Sequence, residues 1–328
     1  MLFVDNEGIH DPRINLAIEE YILRHLDQNE TYLLFYINDP SIIIGKNQNT
    51  IEEINTEYVE KNNIYVVRRL SGGGAVYHDR GNLSFSFITK DDGSSFHNFK
   101  KFTDPVVRVL RNMGVQAELS GRNDILVDGK KISGNAQFAT RGRMFSHGTL
   151  MFDTEIDAVV KALKVKADKI ESKGIKSIRS RVANIADYMD EKIDIEKFKN
   201  RILEGLFEGG PIESYKLTEE DWKKINEISD KRYRNWDWNY GRSPAFNVQH
   251  SHRFPVGSID VRLDVHRGVI EQCKIFGDFF GVGDVADIEG RLAGVKYAKE
   301  DIEAALEGLD IPHYFGKITK EEFVNLVY

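Results

Sequence analysis

The chain switches between helical and strand periodicity repeatedly and in no regular order. Asp11 and Pro12, followed by Ile14, Ala17, Ile18, Tyr21, Ile22 and Leu26, supply an N-cap, a proline at the first helical position and apolar residues at helical spacing. Thr50 and Glu53 form a capping box that predicts a second helix through about Lys61, and Thr103, Asp104 and Pro105 predict a third through Met113. Between them the pattern is that of strands. An apolar run begins at Ile64, Leu83, Phe85 and Phe87 alternate with serines in NLSFSFI, and 115–119, 125–127, 131–137 and 145–152 read as four more short strands. This mixture predicts an α+β fold rather than a repeated βαβ winding. After Met151 the chain turns helical and charged through about Ile228. The segment RNWDWNYGRSPAF (234–246) then gathers aromatics, a glycine and a proline, which predicts a domain boundary just after it, dividing the chain into 1–245 and 246–328. The remainder reads as two strands, 256–265 and 269–276, followed by short helices such as 301–306.

Composition narrows the classes. With 328 residues, 41% hydrophobic and 30% charged, the chain can bury one large core or two unequal ones. Runs such as YLLFYI (32–37) and SIIIG (41–45) are too short to span a bilayer, and the opening MLFVDNEGIH has no basic-then-apolar leader. The expectation is a cytoplasmic protein without a membrane partner. Cys273 is the single cysteine, which excludes an internal disulfide and a cysteine-rich metal cluster. A net charge of -7 argues against a general nucleic-acid binder. Locally, eight lysines and arginines between Lys161 and Arg181 face only Asp168 and Glu171, a pattern that a solvated face would also produce.

Some motifs lead nowhere. Each Gly-Lys pair is followed by the wrong residue for a P-loop, namely Asn47, Lys131 or Ile318. The run Gly281, Gly283, Ala286 imitates a dinucleotide fingerprint, but too little chain follows to complete that fold, so it reads as a turn. His250 and His252 lack an obvious third ligand and read as a surface loop.

Three stretches carry chemistry. In RLSGGGAVYHD (69–79) three consecutive glycines give up more backbone freedom than other residues would. They make either a plain loop or an anion-binding concavity beside Arg68 and Arg69, with Tyr77, His78 and Asp79 directly after it. In GRNDILVDGKKISGNAQ (121–137), Asp128 and Gly129 signal a two-residue hairpin turn. That turn would pair Val127 with Lys130, Leu126 with Lys131 and Asp124 with Ser133, so that Asp124, Leu126, Lys131 and Ser133 share a face. A carboxylate suited to Mg²⁺ would then lie diagonal to an ammonium suited to phosphate, or the two would form an ordinary surface pair. In FSHGTLMFD (145–153), His147 and Gly148 head an apolar strand, where a histidine is either packed or functional. The basic stretch KGIKSIRSRVANI (173–185) runs into a predicted helix, the end of a loop that could cover a bound anion.

In this order and spacing, RRLSGGGAVYHDRGNLSFSF, GRNDILVDGKKISGNAQ, FSHGTLMFD and KGIKSIRSRVAN resemble the lipoate-protein ligases, which group with the biotin ligases and class II synthetase-like domains. The resemblance covers about residues 1–245, and the tail is similar to the accessory domain of the longer members. It implies a class II synthetase/biotin ligase-like mixed-sheet catalytic domain with a smaller α+β C-terminal domain. The implied reaction has two steps, from lipoate and MgATP to lipoyl-AMP, and then to a lysine of a lipoyl domain. Carried over by motif, Lys131 is the catalytic residue. Arg69, Ser71, Gly73, Gly74, Ala75, Val76 and Tyr77 match ATP-contacting positions, with Ser133 beside the lysine. Asn123 and Asp124 would sit at the metal and phosphates, Asp124 holding Mg²⁺. His147 and Gly148 would lie near the lipoate, and Arg181 in the loop that covers the adenylate. The implied acceptors are the E2 subunits of 2-oxoacid dehydrogenases and the glycine cleavage H protein, served by a monomeric enzyme. An ATP-independent acyltransferase of the same fold is the competing reading, although Cys273 lies outside every motif. A noncatalytic lipoyl-domain binder would leave Asp124 and Lys131 unexplained together.

Overall fold

The alternating residues Leu83, Phe85 and Phe87 lie in a central strand of the largest sheet. A computed structural model describes residues 1–121, 123–163, 180–240 and 246–328. In chain order its strands are β1 (Leu2–Val4), β2 (Tyr32–Tyr36), β3 (Ser41–Ile44), β4 (Tyr65–Arg68), β5 (Val76–His78), β6 (Asn82–Lys90), β7 (Glu118–Ser120), β8 (Asp124–Val127), β9 (Lys130–Thr140), β10 (Arg143–Met151) and β11 (Ser214–Tyr215). Eight of them form one mixed sheet in the order β11-β1-β2-β6-β10-β9-β8-β7, and β4-β3-β5 form a second sheet. Two compact units result, one of Met1–Ile44, Thr50–Arg69 and Ala75–Asn239, the other of Gly45–Asn49, Leu70–Gly74 and Tyr240–Tyr328.

The two faces of the large sheet differ. One carries Leu33, Phe35, Leu83, Phe85, Phe87 and Leu150 into a core shared with helix α4 (Phe99–Asn112) and helix α6 (Ile195–Leu206), through Phe102, Val106, Leu110, Phe198 and Ile202. The other face meets helix α1 (Pro12–His25), which also touches β4. As the spacing predicts, Asp11 caps α1 by accepting from the Arg13 N–H.

Two helices differ from expectation. The helix opened at Thr50 stops at Glu53 (α2, Thr50–Glu53), because Ile54 bridges to Leu163 and the Asn55 N–H donates to the Ala162 carbonyl. Asn55 then caps a separate α3 (Thr56–Lys61). The third predicted helix begins at Phe99 rather than near Pro105. Asn98 accepts from the Lys101 N–H and the Thr103 hydroxyl donates to the Phe99 carbonyl, so Pro105 falls inside α4. Chain 156–162 forms α5 (Ile156–Ala162) and 219–228 forms α7 (Glu219–Ile228), while 236–239 forms α8 (Trp236–Asn239).

In the second unit β12 (Val248–Phe254), β13 (Gly257–His266) and β14 (Val269–Gly277) form an antiparallel sheet over a core that includes Ile259, Leu263, Phe279, Ile288, Phe315 and Phe323. His250 and His252 therefore stand on a strand, not on a loop; the sequence VQHSHRF hides it because its side chains are mostly polar and largely exposed. Gly281 and Gly283 lead into the helix Val285–Leu292, capped by the Asp284 side chain. No helix among the described residues is long and apolar enough to cross a membrane.

Asp221 joins α7 to the rest of the first unit. Its carboxylate accepts from the Tyr21 hydroxyl at 2.5 Å, the Tyr215 hydroxyl at 2.9 Å and the Thr218 N–H at 2.8 Å, within a capping box. Burial opposes its charge, but these donors outweigh burial and its pKa falls below the ordinary value. A depressed folded-state pKa contributes stability above the unfolded pKa, near 4, and that contribution is lost as pH falls through the folded value. Asp221→Ala should cost about 2–3 kcal/mol in urea unfolding at neutral pH. The variant should also lose stability less steeply than the parent below about pH 4; parallel acid curves would contradict this account.

Candidate active site

The hairpin turn at Asp128 and Gly129 has positive φ at both positions, +49° and +72°, as a type I′ turn requires. Val127 pairs with Lys130 and Leu126 with Lys131 as expected. Beyond that the register shifts, with Ile125 opposite Ser133 and Asp124 opposite Gly134. A β-bulge inserts Ile132, which is drawn into the apolar core. Ser133 turns with Ile125 toward the core face and accepts from the Asn135 side chain, while Gly134 shares a face with Asp124 and Lys131. Lys131 Nζ lies 2.8 Å from Asp124 Oδ1, with side-chain exposures of 38% and 36%. A Cβ on Gly134 would sit 3.0 Å from that Nζ, so the missing side chain leaves room for the lysine head.

Lys131 is held through its backbone as well. Its N–H donates to the Arg181 carbonyl at 2.7 Å and its carbonyl accepts from the Ala183 N–H at 3.0 Å. The structure thus brings the end of the basic segment onto the hairpin; residues 164–179 of that segment lie outside the described residues. Asn123 donates to the Asn135 carbonyl at 2.6 Å and its own carbonyl accepts the Asn135 N–H at 3.0 Å, which ties the start of β8 to β9.

From Gly134 the same sheet face continues inward as two polar rows. The Gly134 N–H donates to Thr149 Oγ1, Thr149 pairs with Ser84, and Ser84 pairs with Tyr36. In the next row Ala136 pairs with His147, His147 with Ser86, and Ser86 with Leu34. Small and polar side chains here, under a helix, replace the large apolar ones of the opposite face. Glu19 of α1 reaches across to His147 Nδ1 at 2.9 Å, both side chains being buried. Gly148 follows His147 on the opposite face, where a Cβ would strike Asn135 Oδ1.

The two adjacent arginines have separate work. Arg68 donates through Nε to the Trp238 carbonyl at 2.8 Å and through Nη2 to Thr50 Oγ1 at 2.8 Å, and accepts the Trp238 indole N–H on its carbonyl; it fastens α8 to β4. Arg69 is buried, with Nη1 donating to the Ile43 carbonyl at 3.0 Å. Burial lowers its pKa to about 10, partly offset by Tyr36 and Glu19, which places this cation beside the polar rows. Val76 and Tyr77 of β5 pair with Ile43 and Ile42 of β3, and Ala75 precedes them half-buried.

The glycine run belongs to the other unit and divides by cause. Ser71 is buried and its carbonyl accepts the Lys46 N–H at 2.9 Å. A Cβ on Gly72 would meet the Phe279 carbonyl oxygen at 2.3 Å, and Gly73 has φ +89°. A Cβ on Gly74 would meet nothing within 4 Å, so packing does not require that glycine.

Glu19 and His78 were not among the expected site residues. Glu19 could have been noticed as a carboxylate between Ile18 and Ile22 on a helix whose buried residues include its neighbours. As for metal, Asp124 belongs to no group of three metal-ligating side chains among the described residues. A half-exposed lone carboxylate suits an ion that keeps water and phosphate oxygens as its other ligands, which is how Mg²⁺ binds beside nucleotides.

A mixed sheet with a buried polar face and a half-exposed cation at its edge has the features of a domain that binds an anionic ligand. The family of the lipoyl protein ligase A/B catalytic domain matches residues 11–207, and that of the bacterial lipoate protein ligase C-terminus matches residues 243–327. The chain belongs to the lipoate-protein ligase family. It is 68% identical over the full length of both chains to lipoate-protein ligase LplJ of Bacillus subtilis. Among solved structures it resembles P. falciparum LipL1 in complex with lipoate, at a TM-score of 0.73 and 25% identity, covering 99% of this chain and 96% of that one. It also resembles a lipoate-protein ligase A bound with ATP, at a TM-score of 0.62 and 32% identity, covering 74% and 97%.

Gly134→Val places branched carbons where Lys131 Nζ lies. We expect pyrophosphate release to fall by about 10- to 100-fold, the usual cost of misplacing a reacting group by about an ångström. Unaltered release from a folded variant would mean that the lysine head does not act from this position.

Proposed function

We propose that the chain activates lipoate with ATP and transfers the lipoyl group to a lysine of a lipoyl domain. The observation that carries this reading is the placement of Lys131. Its ammonium stands beside Gly134, where the polar rows of the sheet begin, and its backbone is clamped on Arg181 and Ala183. In the first step a lipoate carboxylate oxygen attacks the α-phosphorus of ATP, forming the acyl–phosphate bond as the bond to pyrophosphate breaks. Both reactants are anions, so a fixed cation lowers the barrier by stabilising charge that gathers on the α-phosphate. Lys131 supplies it, and Asp124 at 2.8 Å steers the ammonium. Asn123 and Asp124 are the residues that would hold Mg²⁺, which adds positive charge at the phosphates when bound. Arg69, Ala75, Val76 and Tyr77 are assigned to the nucleotide by their motif positions. Buried His147, oriented by Glu19, lines the lipoate end. In the second step the acceptor amine attacks the acyl carbonyl carbon, AMP leaves with the bonding pair and the amine proton passes to solvent.

Residues 1–245 would serve as the catalytic domain and 246–328 as the accessory one. E2 subunits and the glycine cleavage H protein fit as acceptors of a monomeric cytoplasmic enzyme, on the family resemblance. The ATP-independent, cysteine-based alternative fares poorly. Cys273 is buried in β14, and burial together with Glu289 pushes its thiol up to about 12, so little thiolate exists near neutral pH.

Incubation with lipoate, ATP and a lipoyl domain should add the lipoyl mass to the domain only when ATP is present; transfer from an acyl-carrier donor without ATP would overturn the reading. Lys131→Ala should lower pyrophosphate release by about 100-fold or more. Because the lost ion pair is half-exposed, the unfolding free energy should change by less than about 1 kcal/mol.

A further inference from the structure

A chain of buried amides in the first unit has a single possible polarity. The Gly8 N–H donates to Asn6 Oδ1, and Asn6 Nδ2 donates both to the Ile9 carbonyl at 2.8 Å and to Asn15 Oδ1 at 2.9 Å. Asn15 Nδ2 donates to the same Ile9 carbonyl at 3.0 Å and to Asn38 Oδ1 at 2.9 Å. Backbone groups cannot exchange roles, so each side-chain amide is oriented by them. Asn38 Nδ2 is left facing His78 Nδ1 at 3.0 Å. An amide nitrogen only donates, so Nδ1 must carry the lone pair and Nε2 must carry the proton. His78 is 4% exposed, and among the described residues its Nε2 has no hydrogen-bond partner. Burial first, then Arg69 and His147, lower its pKa to about 3, which agrees with a neutral ring. Ser86, directly across from His147 in the sheet, holds a second buried oxygen without a partner among the described residues.

A buried donor without an acceptor is costly and calls for a ligand atom. We propose that the His78 Nε2–H recognises the dithiolane sulfur of bound lipoate and so discriminates it from octanoate, the acid of the same chain length without sulfur. The inference rests on the ligase reading. The carboxylate end is placed by Lys131, whose ammonium lies beside Gly134. The row of Ala136 and His147 is two residues further along β9, about 7 Å inward at the rise of a strand. His147 and Arg69 are near enough to act on the His78 ring, so His78 belongs beside that row, where an acyl chain that starts at Lys131 would end. A carboxylate is a poor match for it, because Asn38 holds Nδ1 in its lone-pair form and the ring cannot become a cation there. A ring sulfur is a weak acceptor that a neutral N–H suits, whereas octanoate leaves the donor bare.

Steady-state pyrophosphate release with each acid tests this. In His78→Leu the ratio of kcat/KM for lipoate to that for octanoate should fall by about tenfold, with octanoate use nearly unchanged. Equal loss with both acids would show a merely structural role and overturn the proposal. Should that variant not fold, Asn38→Asp provides a second approach. Its carboxylate accepts from Asn15 and from an Nδ1–H, which moves the imidazole proton off Nε2, and the same loss of selectivity is expected. In the unaltered protein, the ¹⁵N-resolved His78 Nε2–H resonance should move with lipoate and not with octanoate; equal shifts, or none, would overturn the proposal. Failure of the unaltered protein to release pyrophosphate with either acid would instead sink the ligase reading, while the resonance still reports on sulfur recognition.

Discussion

Glu19 crosses from α1 to His147 on the sheet, and the inner layer of the first unit is arranged around that contact. A carboxylate removed from water needs a partner that matches it closely. Here the match is met by the two polar rows on the sheet face beneath the helix. Glu20, next on the same helix, is equally buried and accepts from Arg24 at 2.7 Å, Arg232 at 3.0 Å and Tyr233 at 2.9 Å. Adjacent carboxylates thus bind α1 in two directions, one toward His147 on the sheet and one toward the segment after α7. Apolar residues at these positions would pack as well, but they would close the layer into ordinary core.

The other requirement is that one ammonium be held still. Lysine is a flexible side chain, and its use at a reacting centre depends on what restricts it. Lys131 is restricted from several sides: by the bulge that sends Ile132 into the core, by strand-like pairing with 181–183, by Asp124 and by the space over Gly134. None of these is a strong interaction alone. Together they leave the head group one convenient place.

Features governed by local chemistry could be read from the sequence, and features governed by distant partners could not. The cap at Asp11, the turn at Asp128 and Gly129 and the pairing of Leu126 with Lys131 follow from residues within a few positions of one another. The bulge does not, because it depends on Ile132 finding a place in a core built with α4 and α6. The break between α2 and α3 comes from Leu163, more than a hundred residues away, and Glu19 lies equally far from His147. Strand β12 leaves little trace in the sequence, because its side chains are mostly polar and largely exposed. The glycine run was visible as a run, but only neighbouring backbone could separate Gly72 and Gly73, which packing and dihedral angle explain, from Gly74, which they do not.

The amide chain that orients His78 begins at Asn6 and Ile9. Leading residues of a domain are commonly the ones shortened or fused to tags, on the assumption that they are spectators. In this protein the Ile9 carbonyl anchors two of the asparagines on which the orientation of the His78 ring depends. A change at Asn6 or Ile9 is therefore also a change in how the His78 ring is oriented, even though it leaves every residue of the motifs in place.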